Sequence, residues 1–148
     1  MAEIYCDPEV MRFIPGGPCA DEDAVRALLA GYAEAQTRAG FSSWAVVERE
    51  TGQIVGDAGF GVFEPTGEIE LGYTLSRRFQ GRGYATEAAR ACLAAGLRHF
   101  DVPRIIAAVD AENMASLRVA ERIGMQRSEE IVAHGRPHII LAATRLAR

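Results

Sequence analysis

Several things are scarce in these 148 residues, and each shortage closes a class of function. Positive charge is in deficit: 16 Lys and Arg stand against 20 Asp and Glu, a formal balance of −4. A general nucleic-acid binder needs a broad basic surface, so that class is set aside. No uninterrupted apolar run reaches the roughly 20 residues that span a bilayer. The opening "MAEIYCDPEV" has neither a basic n-region nor an apolar h-region, so it does not read as a signal peptide. Cysteine is sparse, and Cys6, Cys19 and Cys92 form no metal-ligand spacing and cannot all pair with one another. That pattern fits a reducing cytoplasm and predicts no bound metal. Repeats, low-complexity tracts and interdomain linkers are also missing. What remains is 49% hydrophobic and 24% charged, an ordinary globular balance. The reading is one domain over residues 1–148, cytoplasmic, with no membrane or nucleic-acid partner.

Periodicity and punctuation order the elements. After the turn in "FIPGGP", Asp21 can cap a helix that carries Val25, Leu28, Leu29, Tyr32 and Ala33 on one face and ends at Gly40. "SSWAVVE" (42–48) and "IVGDAGFGVF" (54–63) read as strands joined by "ETGQ", an antiparallel hairpin. "EIELGYTL" (68–75) follows as a third strand. Ala85, Ala88, Ala89, Cys92, Leu93, Gly96, Leu97 and Phe100 recur at the spacing of a buried helical stripe. "RIIAAVD" (104–110) is a further strand, Asn113 to Ile123 a helix closed by Gly124, and two late strands lie near 126–133 and 138–145. Early antiparallel strands with a central strand–helix–strand–helix unit predict one mixed α/β layer structure.

Two stretches carry chemistry. In "RRFQGRGYATEAA" (77–89), Gly81 and Gly83 stand between a strand and a helix. The first amides of a helix lack internal partners and its dipole leaves about half a positive charge there. Glycines let an anion approach those amides closely, Arg77, Arg78 and Arg82 add full charges, and Thr86 adds a hydroxyl, so a phosphate or pyrophosphate is the natural guest. A nucleotide-triphosphatase loop would end in GK[ST], which is absent, and a dinucleotide fingerprint would want Gly or Ala where Thr86 stands. A plain strand–helix connection with a solvated basic face is the competing reading. In "DAENMASLRVAERIGM" (110–125), Asn113 and Ser116 open a helix just past a strand end. Asn113 is a good N-cap, yet both residues also face the crevice where open α/β sheets bind ligands.

"LGYTLSRRFQGRGYATEA", "NMASLRVAERIGM" and the spacing between them resemble the GNAT N-acetyltransferase superfamily, and most closely its RimJ/RimL-like ribosomal-protein branch. The resemblance spans about Asp7 to Arg145. It implies a three-layer fold with a mostly antiparallel mixed sheet flanked by helices, and acetyl-CoA as acetyl donor. Arg78-Phe-Gln80-Gly81-Arg82-Gly83 matches the family's pyrophosphate-clasping signature, with Tyr84, Ala85 and Thr86 continuing into the helix. By the same likeness, backbone groups of Tyr73, Thr74 and Leu75 would pair with the pantetheine arm, and Asn113 and Ser116 would contact the cosubstrate. Gly72, inside a strand, agrees with local splaying of the sheet.

The implied reaction is direct attack of a primary amine, from a protein N-terminus or a small molecule, on a thioester. An ordinary alkylamine has a pKa of about 10, so a base must remove its proton. Glu70 is the candidate: it lies opposite Ile69 and Leu71 on its strand and matches an acidic family position, while Glu68 shares its face and could substitute. Ser116 is the candidate hydrogen-bond donor to the leaving thiolate, and a third-strand amide could polarise the carbonyl. A non-catalytic coenzyme A sensor of the same fold is the alternative. "RFIPGGP" could form the acceptor wall; His134 and His138 read as turn histidines, Cys92 and Trp44 as core. Relatives begin with a strand and helix for which "MAEIYC" is too short, so the first family strand is expected to be missing. Either the chain is truncated or a partner supplies the uncovered edge, which makes homodimerisation an expectation.

Overall fold

A computed structural model describes residues 1–145. Six strands form one sheet in the order β1-β2-β3-β4-β6-β5. They are β1 (Ser43–Val47), β2 (Ile54–Phe63), β3 (Glu68–Leu75), β4 (Arg104–Asp110), β5 (Gln126–Ala133) and β6 (Arg136–Thr144). The helices are α1 (Ala2–Tyr5), α2 (Glu22–Ala39), α3 (Tyr84–His99) and α4 (Met114–Arg122), with a 3-10 turn at Arg77–Phe79. Every neighbouring pair is antiparallel except β3 and β4, which run parallel and meet through a single bridge, Glu70 with Ile106. Beyond that bridge the two strands diverge and leave a wedge in the middle of the sheet. This is the mixed α/β, mostly antiparallel architecture expected, and no strand precedes Ser43 among the described residues.

The helical stripe of α3 packs as its spacing predicts: Ala89, Leu93 and the buried Gly96 meet Phe60, Leu71 and Ile105 in the main core. Gly96 is glycine because a Cβ there would lie 2.7 Å from Ile105 Cδ1 and 2.7 Å from Phe60 Cζ. The caps also hold: Asp21 accepts from the Ala24 amide at 2.9 Å, and Gly40 closes α2 in the left-handed region at φ 79°.

The opposite face of the sheet carries a separate small core of Ile4, Tyr5, Met11 and Val25, with Leu28 and Tyr32 packed against it. Here the sequence reading needs correction. Leu29 is 37% exposed and Ala33 is exposed too, because α2 touches the rest of the molecule along a narrower stripe than its apolar positions suggest. Trp44 is 43% exposed at the edge strand rather than in the core; it stacks edge-on to Phe60 and donates Nε1–H to Gln36 at 3.0 Å. The N-terminal residues form α1, too short for periodicity to reveal, and β1 is left as a sheet edge with a bulge between Val46 and Val47. Short, bulged edges resist indiscriminate pairing. No helix among the described residues is long and apolar enough to cross a membrane.

Candidate active site

Strand alternation decides which side chains meet. Asp57, Gly59 and Gly61 of β2 stand opposite Thr74, Gly72 and Glu70 of β3, so all six point to the sheet face away from α3. A cavity of about 440 Å³ opens over them. Phe13, Ile14 and Pro15, from the "RFIPGGP" stretch, form part of its wall. Across the wedge it is lined by Ala108 and Asp110 of β4, by Asn113 and Ser116 at the start of α4, and by His138 of β6.

Glu70 stands beside the one bridge that joins β3 to β4, where the wedge begins. Burial pushes its carboxyl up to about 7, against the Ala108 amide that donates to it. A carboxylate there titrates where a general base is useful. Glu68 behaves oppositely. Arg104 forks onto both of its oxygens at 2.6 and 3.2 Å and holds it below the usual carboxylate range, so it makes a poor base. Asp110 is likewise neutralised, by Arg136 at 2.5 Å. Asp57 is not: Tyr5 of α1 donates to it, no arginine pairs with it among the described residues, and burial raises it to about 6. Sequence reasoning missed Asp57 and Tyr5, since no local pattern joins residues 52 positions apart.

At the other side of the wedge, Tyr73 reaches beneath it from β3. Its hydroxyl donates to the Ser116 carbonyl at 2.8 Å and accepts from Ser116 Oγ at 3.1 Å. The Asn113 side chain accepts from the Ser116 amide at 3.2 Å, so its capping role is real. The Ser116 hydroxyl thus comes as a pair with a tyrosine. His138 departs from the turn expected for it: it lies buried in β6, because that strand starts at Arg136, and its Nδ1 pairs with the Arg136 carbonyl at 2.9 Å. His134 does occupy the turn, at φ 52°.

The glycine turn lies at the far end of β3. Gly81 and Gly83 adopt φ of 75° and 85°, conformations that favour glycine, and Gly83 is the N-cap of α3 with no side chain capping the helix. The amides of residues 81–86 donate to no partner among the described residues. Six unpartnered donors at and before a positive helix end fit a diphosphate. Arg78 and Arg82 flank Phe79 at 5.4 and 5.3 Å from its ring and keep their charge beside the turn. Several neighbours act as struts. Gln80 Nε2 donates to the Leu75 carbonyl at 3.1 Å, Tyr84 donates to Glu48 at 2.5 Å, and Arg77 is spent on Asp7 at 2.8 Å. Leu75 itself is buried, while Thr86 is half-buried on the first turn.

A wedge in the sheet, a half-buried carboxylate at its apex and an uncapped glycine turn beyond the end of β3 make up the candidate site. Residues 1–126 match the acetyltransferase (GNAT) domain family, and the chain belongs to that family and is an acyltransferase. It is 35% identical over 136 residues to the Bacillus subtilis protein YkkB, covering 90% of this chain and 78% of that one. It is 31% identical over 125 residues to YnaD of Bacillus subtilis, an uncharacterized N-acetyltransferase, covering 84% and 71%. Among solved structures, a GNAT-family acetyltransferase from Bacillus anthracis superposes with a TM-score of 0.83 at 28% identity, over 98% of this chain and 87% of that one. RimL, an acetyltransferase of ribosomal L7/L12 solved with coenzyme A, shares the fold at a TM-score of 0.72 and 20% identity, over 84% and 73%.

Proposed function

We propose that this acetyltransferase moves an acetyl group from acetyl-CoA to a primary amine by direct attack. The observation that carries the reading is the placement of Glu70, a carboxylate without a counter-ion among the described residues, at the apex of the wedge and open to the cavity. Two further features support it: the free amides of residues 81–86 as a pyrophosphate seat, and the coenzyme A held by the structural relative RimL.

Acetyl-CoA supplies an activated carbonyl joined to a good leaving group. Gly81, Gly83, Tyr84 and Ala85 would hold its diphosphate through their amides, with Arg78, Arg82 and Thr86 completing the seat and Gln80 bracing the turn. Backbone groups of Tyr73, Thr74 and Leu75 on the open edge of β3 would align the pantetheine, with Asn113 across the wedge. Glu70 takes the proton from the incoming ammonium, which frees the nitrogen lone pair to attack the carbonyl carbon. A β3 amide donates to the carbonyl oxygen as negative charge gathers on it. As the carbon–sulfur bond breaks, the Ser116 hydroxyl turns its proton from Tyr73 to the departing thiolate, while Tyr73 keeps its own bond to the Ser116 carbonyl. With a thiol pKa of roughly 8.5 by analogy with cysteine, that thiolate needs little more, and it takes up the second proton that the nitrogen sheds as the amide forms.

Steady-state thiol release from acetyl-CoA across a panel of primary amines tests the reading. Amine-dependent release is the expected result. Tight coenzyme A binding with no release for any amine would mark a sensor and end the proposal.

A further inference from the structure

Glu70 and Asp57 are the two cavity-facing carboxylates that no arginine neutralises among the described residues; Glu68 and Asp110 each have one. Asp57 is 5% exposed, and its one hydrogen bond comes from Tyr5. A buried carboxylate is retained in a fold when something offsets its desolvation, and ordinarily that is a cation. Nothing in the described chain supplies one. An uncompensated carboxylate in a cavity wall is what a protonated nitrogen would satisfy.

The floor between the two carboxylates is glycine. Gly59 has an internal reason, since a Cβ would lie 2.1 Å from the Ser42 carbonyl oxygen. Gly61 and Gly72 have none: neither adopts a positive φ, and a Cβ on either would meet nothing within 4 Å. Both line the cavity. A side chain at either position would enter space that the protein itself leaves empty, so the passage from Glu70 to Asp57 is kept clear for an occupant. Asp57 is level with Thr74, four residues along β3 from Glu70 and one strand across. That is roughly 13 Å along the strand, so two nitrogens on the order of 10 Å apart can reach both carboxylates.

We propose that Asp57 reads a second cationic nitrogen on the acceptor, so that the substrate is an elongated small-molecule dication with one amine at Glu70 and the far ammonium at Asp57. This rests on the acetyl-transfer reading above and names its substrate class. With Asp57 raised to about 6, the site is charged at neutral pH.

The test compares 1,8-diaminooctane with n-octylamine, which differ by the second nitrogen, as acceptors for the full chain with acetyl-CoA. The diamine is expected to have kcat/KM at least about tenfold higher, beyond the roughly twofold that its two equivalent ends supply. In Asp57→Asn the ratio should collapse toward that twofold, a change that a loss of folded enzyme would not produce. Gly61→Ala, which adds one methyl in open space, should raise KM for the diamine and leave KM for acetyl-CoA unchanged. A wild-type ratio near two overturns the inference alone, as does an Asp57→Asn enzyme that loses both amines equally. So does a basic peptide that outperforms the diamine with no dependence on Asp57. Absence of thiol release with either amine, or with any other, overturns the acetyl-transfer reading as well.

Discussion

Glu70 has an ordinary glutamate value of 4.5 in the unfolded chain and about 7 in the folded one. Between those two values the folded state holds a proton that the unfolded state has released. Stability therefore falls as pH rises through the window, and the full cost is in place above about 7. Two and a half pH units at about 1.4 kcal/mol each amount to about 3 kcal/mol. Glu70→Gln removes the charge but keeps an oxygen for the Ala108 amide, so it should return that energy at pH 8 and nothing at pH 4. For a chain of this length, melting at pH 8 should rise by roughly 6–12 °C. The same change removes the base, and kcat/KM should drop by at least about 100-fold. In the wild type, kcat/KM should climb about tenfold per pH unit below about 7 and level off until the free amine's own pKa near 10. That bend should vanish in the variant. Paired melting curves at pH 4 and 8 and a pH–rate profile read both halves. An equal melting shift at both pH values, or a bend that survives the substitution, would refute the reasoning.

Glu68→Gln should leave the bend in the pH–rate profile in place, because Arg104 already holds that carboxylate in an ion pair; loss of the bend would move the base there. Gly83→Val forces a β-branched residue into φ 85° and blocks approach to the amides, so calorimetric acetyl-CoA affinity should fall at least about tenfold; unchanged affinity in a folded variant would remove the diphosphate from that turn. Gly96→Ala should cost about 1–3 kcal/mol in denaturant unfolding, since its methyl would press on the rigid ring of Phe60 and on Ile105; an unchanged midpoint would mean that α3 shifts freely.

Much of the layout was legible because local rules and tertiary packing agree. β2, β3 and β4 lie at the ranges that alternation and flanking turns indicate, and Asp21, Gly40 and Asn113 perform the caps their types suggest. Glu70 could be placed on a face by counting in twos, but its isolation from arginine could not, because Arg104 and Arg136 choose their partners through the sheet register. The same limit hid Asp57. Its neighbours Tyr5 and Tyr32 arrive from helices packed on the sheet, and α1 exists through that packing rather than through propensity. Trp44 misled because an aromatic in a strand usually fills a core, whereas an edge strand offers no second layer to cover it.

The sheet is in effect two three-stranded leaves, β1–β3 and β4–β6, hinged on one rung at Glu70 and Ile106. Any guest that lies along the open seam is therefore a keystone as well as a reagent, and its binding energy is added to that of the fold. At a hundred times its dissociation constant such a guest contributes about 2.7 kcal/mol. The resistance of the protein to proteases would then rise with the concentration of whatever guest fills the seam.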